Sequence, residues 1–210
     1  MRARDNPFAT ARIHRIRYRF HGLTWEQFLE RLAQAKYRGA IVGPEGSGKS
    51  TLLRDLQQGL AERGFQPVLL RLTQESPRFP RPMRQNLSAT LASRHVVLLD
   101  GAEQMSPWAW WGFRRRARRA GGLIITAHRE GLLPTVLTCG TTPKLLSEII
   151  GRLLGDHSAL PKAEVERLYQ RHSGNIREAL RELYDICGVQ SHPVGVGTDR
   201  LEFTATVSFA

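Results

Sequence analysis

Cysteine is nearly absent from this 210-residue chain: Cys139 and Cys187 stand far apart, outside any CxxC or Cys/His spacing. That excludes a disulfide framework and a zinc motif, and leaves two buried, reduced thiols as the expectation. No apolar run approaches the roughly 20 residues that a bilayer span needs. The arginine-rich start is not followed by an apolar secretory segment either, so a cytoplasmic protein with no membrane partner is expected. Lysine is scarce, with only Lys36, Lys49, Lys144 and Lys162 among 31 basic residues; such a skew toward arginine is also what a GC-rich genome produces. Acid is in short supply. Against those 31 bases stand 19 Asp and Glu, a formal net charge of +12, so an acidic partner such as nucleic acid or anionic lipid is chemically favoured. A hydrophobic fraction of 41% is enough to bury a core, which excludes wholesale disorder and fibrous classes.

The basic residues are not evenly spread. Residues 1–21 hold Arg2, Arg4, Arg12, Arg15, Arg17 and Arg19 against one acid, Asp5, and Arg114 to Arg119 reads RRRARR. With no sustained period and a helix-breaking Asn6-Pro7, residues 1–21 read as a basic N-terminal arm. Thr24-Trp-Glu-Gln27 is a capping box that opens a helix with Phe28, Leu29, Leu32 and Ala33 on one face. Five apolar runs follow, at Ala40 to Val42, Val68 to Leu72, Val96 to Leu99, Leu123 to Ile125 and Val136 to Cys139. Helical patterns at Lys49 to Arg63, Pro82 to Ser93 and Pro107 to Ala120 separate most of them. Continuous apolar strands alternating with helices imply a parallel sheet covered on both faces. Beyond the fifth run only helices are read, at Lys144 to Leu154, Lys162 to His172 and Asn175 to Cys187. The expected division is a core over 22–142, a helical lid over 143–187 and a tail over 188–210 with one alternating stretch, Leu201 to Phe209.

The strongest chemical signal is Gly43-Pro44-Glu45-Gly46-Ser47-Gly48-Lys49-Ser50, which matches G-x-x-x-x-G-K-[ST] between a strand and a helix. The glycines let backbone N–H groups turn inward at phosphate oxygens, and the helix starting at Lys49 and running on through Thr51 adds its positive end. Lys49 would reach the β- and γ-phosphates and Ser50 would ligate Mg²⁺. No NKxD guanine reader and no LSGGQ segment occurs, so ATP is the expected nucleotide. Val96-Val-Leu-Leu-Asp100 is a buried-strand run ending in an acid, placed to share the Mg²⁺ with Ser50. Hydrolysis also asks for a carboxylate to orient and deprotonate water. The neighbour of Asp100 is Gly101, and the next acid is Glu103. Either Glu103 reaches back because Gly101 permits an unusual turn, or the site hydrolyses poorly.

Residues 37–187 resemble a compact AAA+ ATPase of the additional-strand P-loop class, with a looser likeness to initiator and transposition-associated ATPases. The resemblance implies a three-layer α/β fold, a five-stranded parallel sheet and a small helical lid. It implies ATP and Mg²⁺ as ligands, ATP hydrolysis and ATP-dependent homo-oligomerisation. Many relatives carry Glu immediately after the strand-end acid, and this chain departs from them there. Thr126 or His128, ending the fourth run, falls where such proteins place a polar sensor, and Arg129 could serve as an arginine finger. Ser173-Gly-Asn-Ile-Arg177-Glu-Ala-Leu resembles their second sensor segment. A cation beside a helix start gains nothing from the dipole, so Arg177 invites an anion contact. On the helix after Asp100, Trp110, Phe113 and Ala117 share a stripe toward the sheet. Arg114, Arg115 and Arg118 point away from it and are candidates for contacting DNA or RNA phosphates. A non-hydrolysing nucleotide switch and a small-molecule kinase are the competing functions.

Overall fold

The computed structural model describes residues 5–20, 22–155 and 160–189, so the strand expected at Leu201 to Phe209 lies outside the described residues. The chain divides into two compact units, one of residues 17–140 and one combining residues 1–16 with 141–210.

The first unit is built on five parallel strands, β1 (Arg38–Val42), β2 (Gln66–Arg71), β3 (His95–Asp100), β4 (Gly122–Ala127) and β5 (Thr135–Thr138), in the order β2-β3-β4-β1-β5. Every position of β3 and β4 is buried, whereas the edge strands β2 and β5 are partly exposed. This explains why the central strands read as unbroken apolar runs: both of their faces are covered.

Alternation along the strands sorts the core into two layers. Ile41, Val96, Leu98 and Ile124 face α2 (Trp25–Gln34) and α3 (Lys49–Ala61), meeting Phe28, Leu32, Leu52, Leu53 and Leu56. Val97, Leu99, Leu123 and Ile125 face the other side, where Leu87 and Leu91 of the α4 region (Arg81–Thr90) and Trp110 and Phe113 of α5 (Pro107–Arg116) cover them. The result is the expected three-layer α/β sandwich. The capping box at Thr24 is present, with Thr24 Oγ1 accepting from Gln27 N and Gln27 Oε1 from Thr24 N.

The unit boundaries fall at 16/17 and 140/141. Tyr18 and Phe20 account for the first of these, because both pack against the α2 and α3 layer, so part of the basic arm belongs to the core. The arm also contains a short helix, α1 (Thr10–Ile13). The second unit gathers Leu146, Ile150 and Leu153 of α6 (Pro143–Leu154), Val165 and Leu168 of α7 (Lys162–Arg171), and Ile176, Ala179, Leu180 and Leu183 of α8 (Ile176–Val189) around Phe8.

Leu98 is fully buried in β3, and Leu69 on edge strand β2 is 36% exposed. Leu98→Ala should cost about 2–5 kcal/mol of stability, the usual toll of a core cavity. Leu69→Ala should cost well under half of that, measured by urea titration of both variants.

Candidate functional site

β1 delivers the chain into the loop Gly43–Gly48, and α3 begins immediately at Lys49. Gly48 caps that helix at φ +83°, a left-handed conformation that a side chain would resist. A Cβ there would also lie 3.2 Å from the ring of Tyr18, so the end of the arm sits over the loop. No side chain caps the start of α3, which leaves its first-turn N–H groups for an anion. Lys49 is buried, and its Nζ donates to the carbonyl oxygens of Gly43 and Pro44 at 2.7 Å each. Ser47 Oγ closes the loop on Pro44 O at 2.8 Å.

The strand-end acid meets this loop directly. Ser50 Oγ donates to Asp100 Oδ1 at 3.0 Å, and Thr126 Oγ1 donates to the same oxygen at 2.8 Å while accepting from Gly101 N at 2.9 Å. Thr126 therefore orients the acid and its turn. Arg71 Nε holds the other oxygen, Oδ2, at 3.1 Å. Sequence reasoning missed Arg71. Its only signal is non-local: in parallel register Arg71 stands opposite Asp100.

Gly101, at φ +84°, turns the chain sharply after β3 into a 3₁₀ turn at Ala102–Gln104. A Cβ at Gly101 would come within 2.5 Å of Leu72 O, so both conformation and space require glycine. The turn brings Glu103 to His128, with Oε1 at 3.3 Å from Nε2. Glu103 Oε2 is buried and has no hydrogen-bond partner among the described residues. Arg129 is exposed just beyond β4.

Beside the loop, Tyr18 N donates to Asp55 Oδ2 at 2.6 Å and Tyr18 Oη donates to Cys139 Sγ at 3.3 Å. Burial, followed by the Cys139 charge and hydrogen bond, pushes the Tyr18 hydroxyl above the usual phenol range. Burial also pushes the Cys139 thiol up, opposed by the Tyr18 bond and by Lys49.

Arg177 belongs to the second unit, where it is exposed in the first turn of α8; Asn175 Oδ1 accepts from Glu178 N at 3.3 Å and caps that helix. The basic cluster divides. Arg114 and Arg118 are charge neighbours of Arg38, whose guanidinium is pushed down by burial and then by these two like charges. Arg115 instead lies over the Trp111 ring, its guanidinium carbon 5.9 Å from the centroid. Trp110 and Phe113 are buried as expected, whereas Trp108 and Trp111 are exposed.

No protein-family model matches the chain, and no curated protein does. Among solved structures it is similar to a point variant of RuvB from Thermotoga maritima, at 21% identity and a TM-score of 0.53, over 79% of this chain and 61% of that one. The likeness shows the fold alone, an α/β core on a five-stranded parallel sheet, and this chain spans about three-fifths of that structure's length.

Two variants probe this geometry. Thr126→Val keeps the shape and removes a hydroxyl that both donates and accepts, so it should lower stability by about 1–3 kcal/mol; an unchanged denaturation midpoint would count against its orienting role. The pH profile is a second handle. Both acids, Tyr18 and Cys139, have folded-state values above their unfolded ones, so the stability they protect is complete below the unfolded range and is lost as pH rises through it. Tyr18→Phe should therefore lose less stability than the parent between about pH 9 and pH 11, as read by melting temperature.

Proposed function

We propose that the chain binds ATP together with Mg²⁺, hydrolyses it slowly, and uses the cycle to switch its assembly on a partner. The observation that carries this reading is the 3.0 Å contact between Ser50 Oγ and Asp100 Oδ1, a hydroxyl and a carboxylate from segments 50 positions apart. Two hard oxygen donors side by side suit Mg²⁺, which keeps its remaining positions for water and phosphate. Ser50 and Asp100 would hold the metal, which when bound neutralises phosphate charge and lowers the barrier to attack.

The chain's own residues supply the rest. The loop's N–H groups and the start of α3 receive the phosphates, and Lys49 is the cation already folded into the loop. Glu103 carries the general-base role: Oε1 is occupied by His128, while Oε2 is a buried acceptor still to be satisfied. A water hydrogen-bonded there would give its proton to Oε2 as its oxygen attacks the γ-phosphorus and the ADP oxygen leaves. His128 acts through Glu103, fixing the carboxylate's rotation. Strand β4 lies between β1 and β3, an arrangement that supports an additional-strand ATPase over a nucleoside kinase. Arg177 keeps the second-sensor role that the resemblance implies, and self-association with nucleotide at subunit boundaries belongs to the same proposal.

The test is ATP turnover with light scattering on the same samples. Lys49→Ala should abolish or severely weaken ATP binding by calorimetry. Glu103→Gln should keep ATP bound and lose about 10²-fold or more in kcat, as expected for a missing general base. His128→Ala should lower kcat with KM little changed. Wild-type turnover in Glu103→Gln would reduce that residue to shaping the turn. Tight binding with no turnover under any condition would favour the non-hydrolysing switch.

A further inference from the structure

α5 carries a surface that its role in the core does not explain. Trp108 and Trp111 are 85% and 63% exposed, although Trp110 and Phe113 on the same helix close the core. Indoles are costly to leave in water, and paired exposed ones mark interaction sites. Helical spacing puts Trp108, Trp111 and Arg115 along one side of α5, and Arg119 follows in the 3₁₀ turn Ala117–Arg119. The Arg115 guanidinium carbon sits 5.9 Å from the Trp111 ring centroid, within cation–π reach. Trp111, Gly112, Arg115, Arg116 and Arg119 line an open depression of about 350 Å³.

Gly112 is a second pointer. It interrupts the helix where alanine would be preferred, and a Cβ there would approach only Arg116 Nη1, at 3.1 Å, the end of a flexible side chain. Packing does not demand glycine; the missing side chain keeps the floor of the depression open. The helix dipole favours arginines in the last turn but offers nothing to two exposed tryptophans. No acid occurs between Glu103 and Glu130.

We propose that this stripe binds single-stranded nucleic acid, with unstacked bases lying on Trp108 and Trp111 and the phosphates following Arg115, Arg116 and Arg119. Aromatic faces with cations beside them on one surface are what a sugar–phosphate strand with splayed bases requires. A duplex keeps its base faces stacked and offers the indoles nothing. A membrane-surface helix would segregate apolar and basic residues on opposite faces, whereas here the exposed indoles and Arg115 share one. A second copy of this chain would have to set an acidic face against these arginines, and the chain has 19 acids to 31 bases. The proposal stands apart from the nucleotide site, and either can fail alone.

The experiment titrates short oligothymidylate and a mixed-sequence duplex into the full chain, following tryptophan fluorescence and anisotropy over a salt series. Binding of the single strand should quench the fluorescence. Trp108→Ala with Trp111→Ala should weaken it by about tenfold or more, and the corresponding Phe pair should restore most of the loss. Replacing Arg115, Arg116 and Arg119 by Gln should flatten the log affinity against log salt slope by about 0.7 per lost contact. The far-ultraviolet circular dichroism and melting temperature of each variant check that it folds. The proposal is overturned if the Ala pair binds oligothymidylate like the parent, if only the duplex binds, if phosphatidylglycerol vesicles but not the oligonucleotide are captured, or if the tryptophan changes act only on self-association.

Discussion

Asp100 ends a strand buried at every position, and its carboxylate is tolerable there only because three partners from three elements reach it. Ser50 arrives from the start of α3, Thr126 from the end of β4 and Arg71 from the end of β2. A buried acid with a partner removed is strongly destabilising, so the geometry of the loop, the sheet edge and the acid is fixed as one piece. The β-strand order follows the same constraint. With β4 between β3 and β1, the Thr126 hydroxyl can bridge Asp100 and the amide of Gly101, coupling the acid's orientation to the turn beyond it.

That turn is where the chain gives up regularity. Gly101 redirects the backbone so that Glu103, two residues late by comparison with the resemblance, ends against His128, just beyond β4. The outcome is a buried oxygen without a partner among the described residues, a condition that costs about 1–3 kcal/mol in an ordinary interior. Such a group in a folded protein calls for a cause, and a catalytic role or a bound water supplies one. The reading of Glu103 as the base draws its support from this.

What was legible in the sequence was what is encoded locally. The loop, its flanking strand and helix, the capping box at Thr24 and the inward stripe of Trp110 and Phe113 each depend on residues within one or two turns of each other. Arg71 was not legible because its partnership with Asp100 exists only once β2 and β3 pair in register. Tyr18 lay in a segment without periodicity, and its place over Gly48 and beside Cys139 is a purely tertiary fact. Trp108 and Trp111 hid for the opposite reason. Large aromatics are buried so often that a run of three in a helix reads as core, and only the geometry separates the one that packs from the two that do not.

The scarcity of lysine acquires a physical meaning once the partners are known. Arginine's planar guanidinium bonds a carboxylate through Nε, as Arg71 does, and comes within cation–π reach of an indole, as Arg115 does. It also keeps its charge where burial and like neighbours push it down, as at Arg38. A compact ammonium lacks the planar, delocalised fork that these contacts use. Lys49 meets the opposite requirement, because its Nζ must fit inside a loop and bond two converging carbonyl oxygens, at 2.7 Å each, which a rigid planar fork cannot do without opening the loop. An Arg at that position would keep the charge and lose the geometry. The phosphate loop is therefore the site in this arginine-rich protein where the identity of the cation, and not merely its sign, is dictated by the backbone around it.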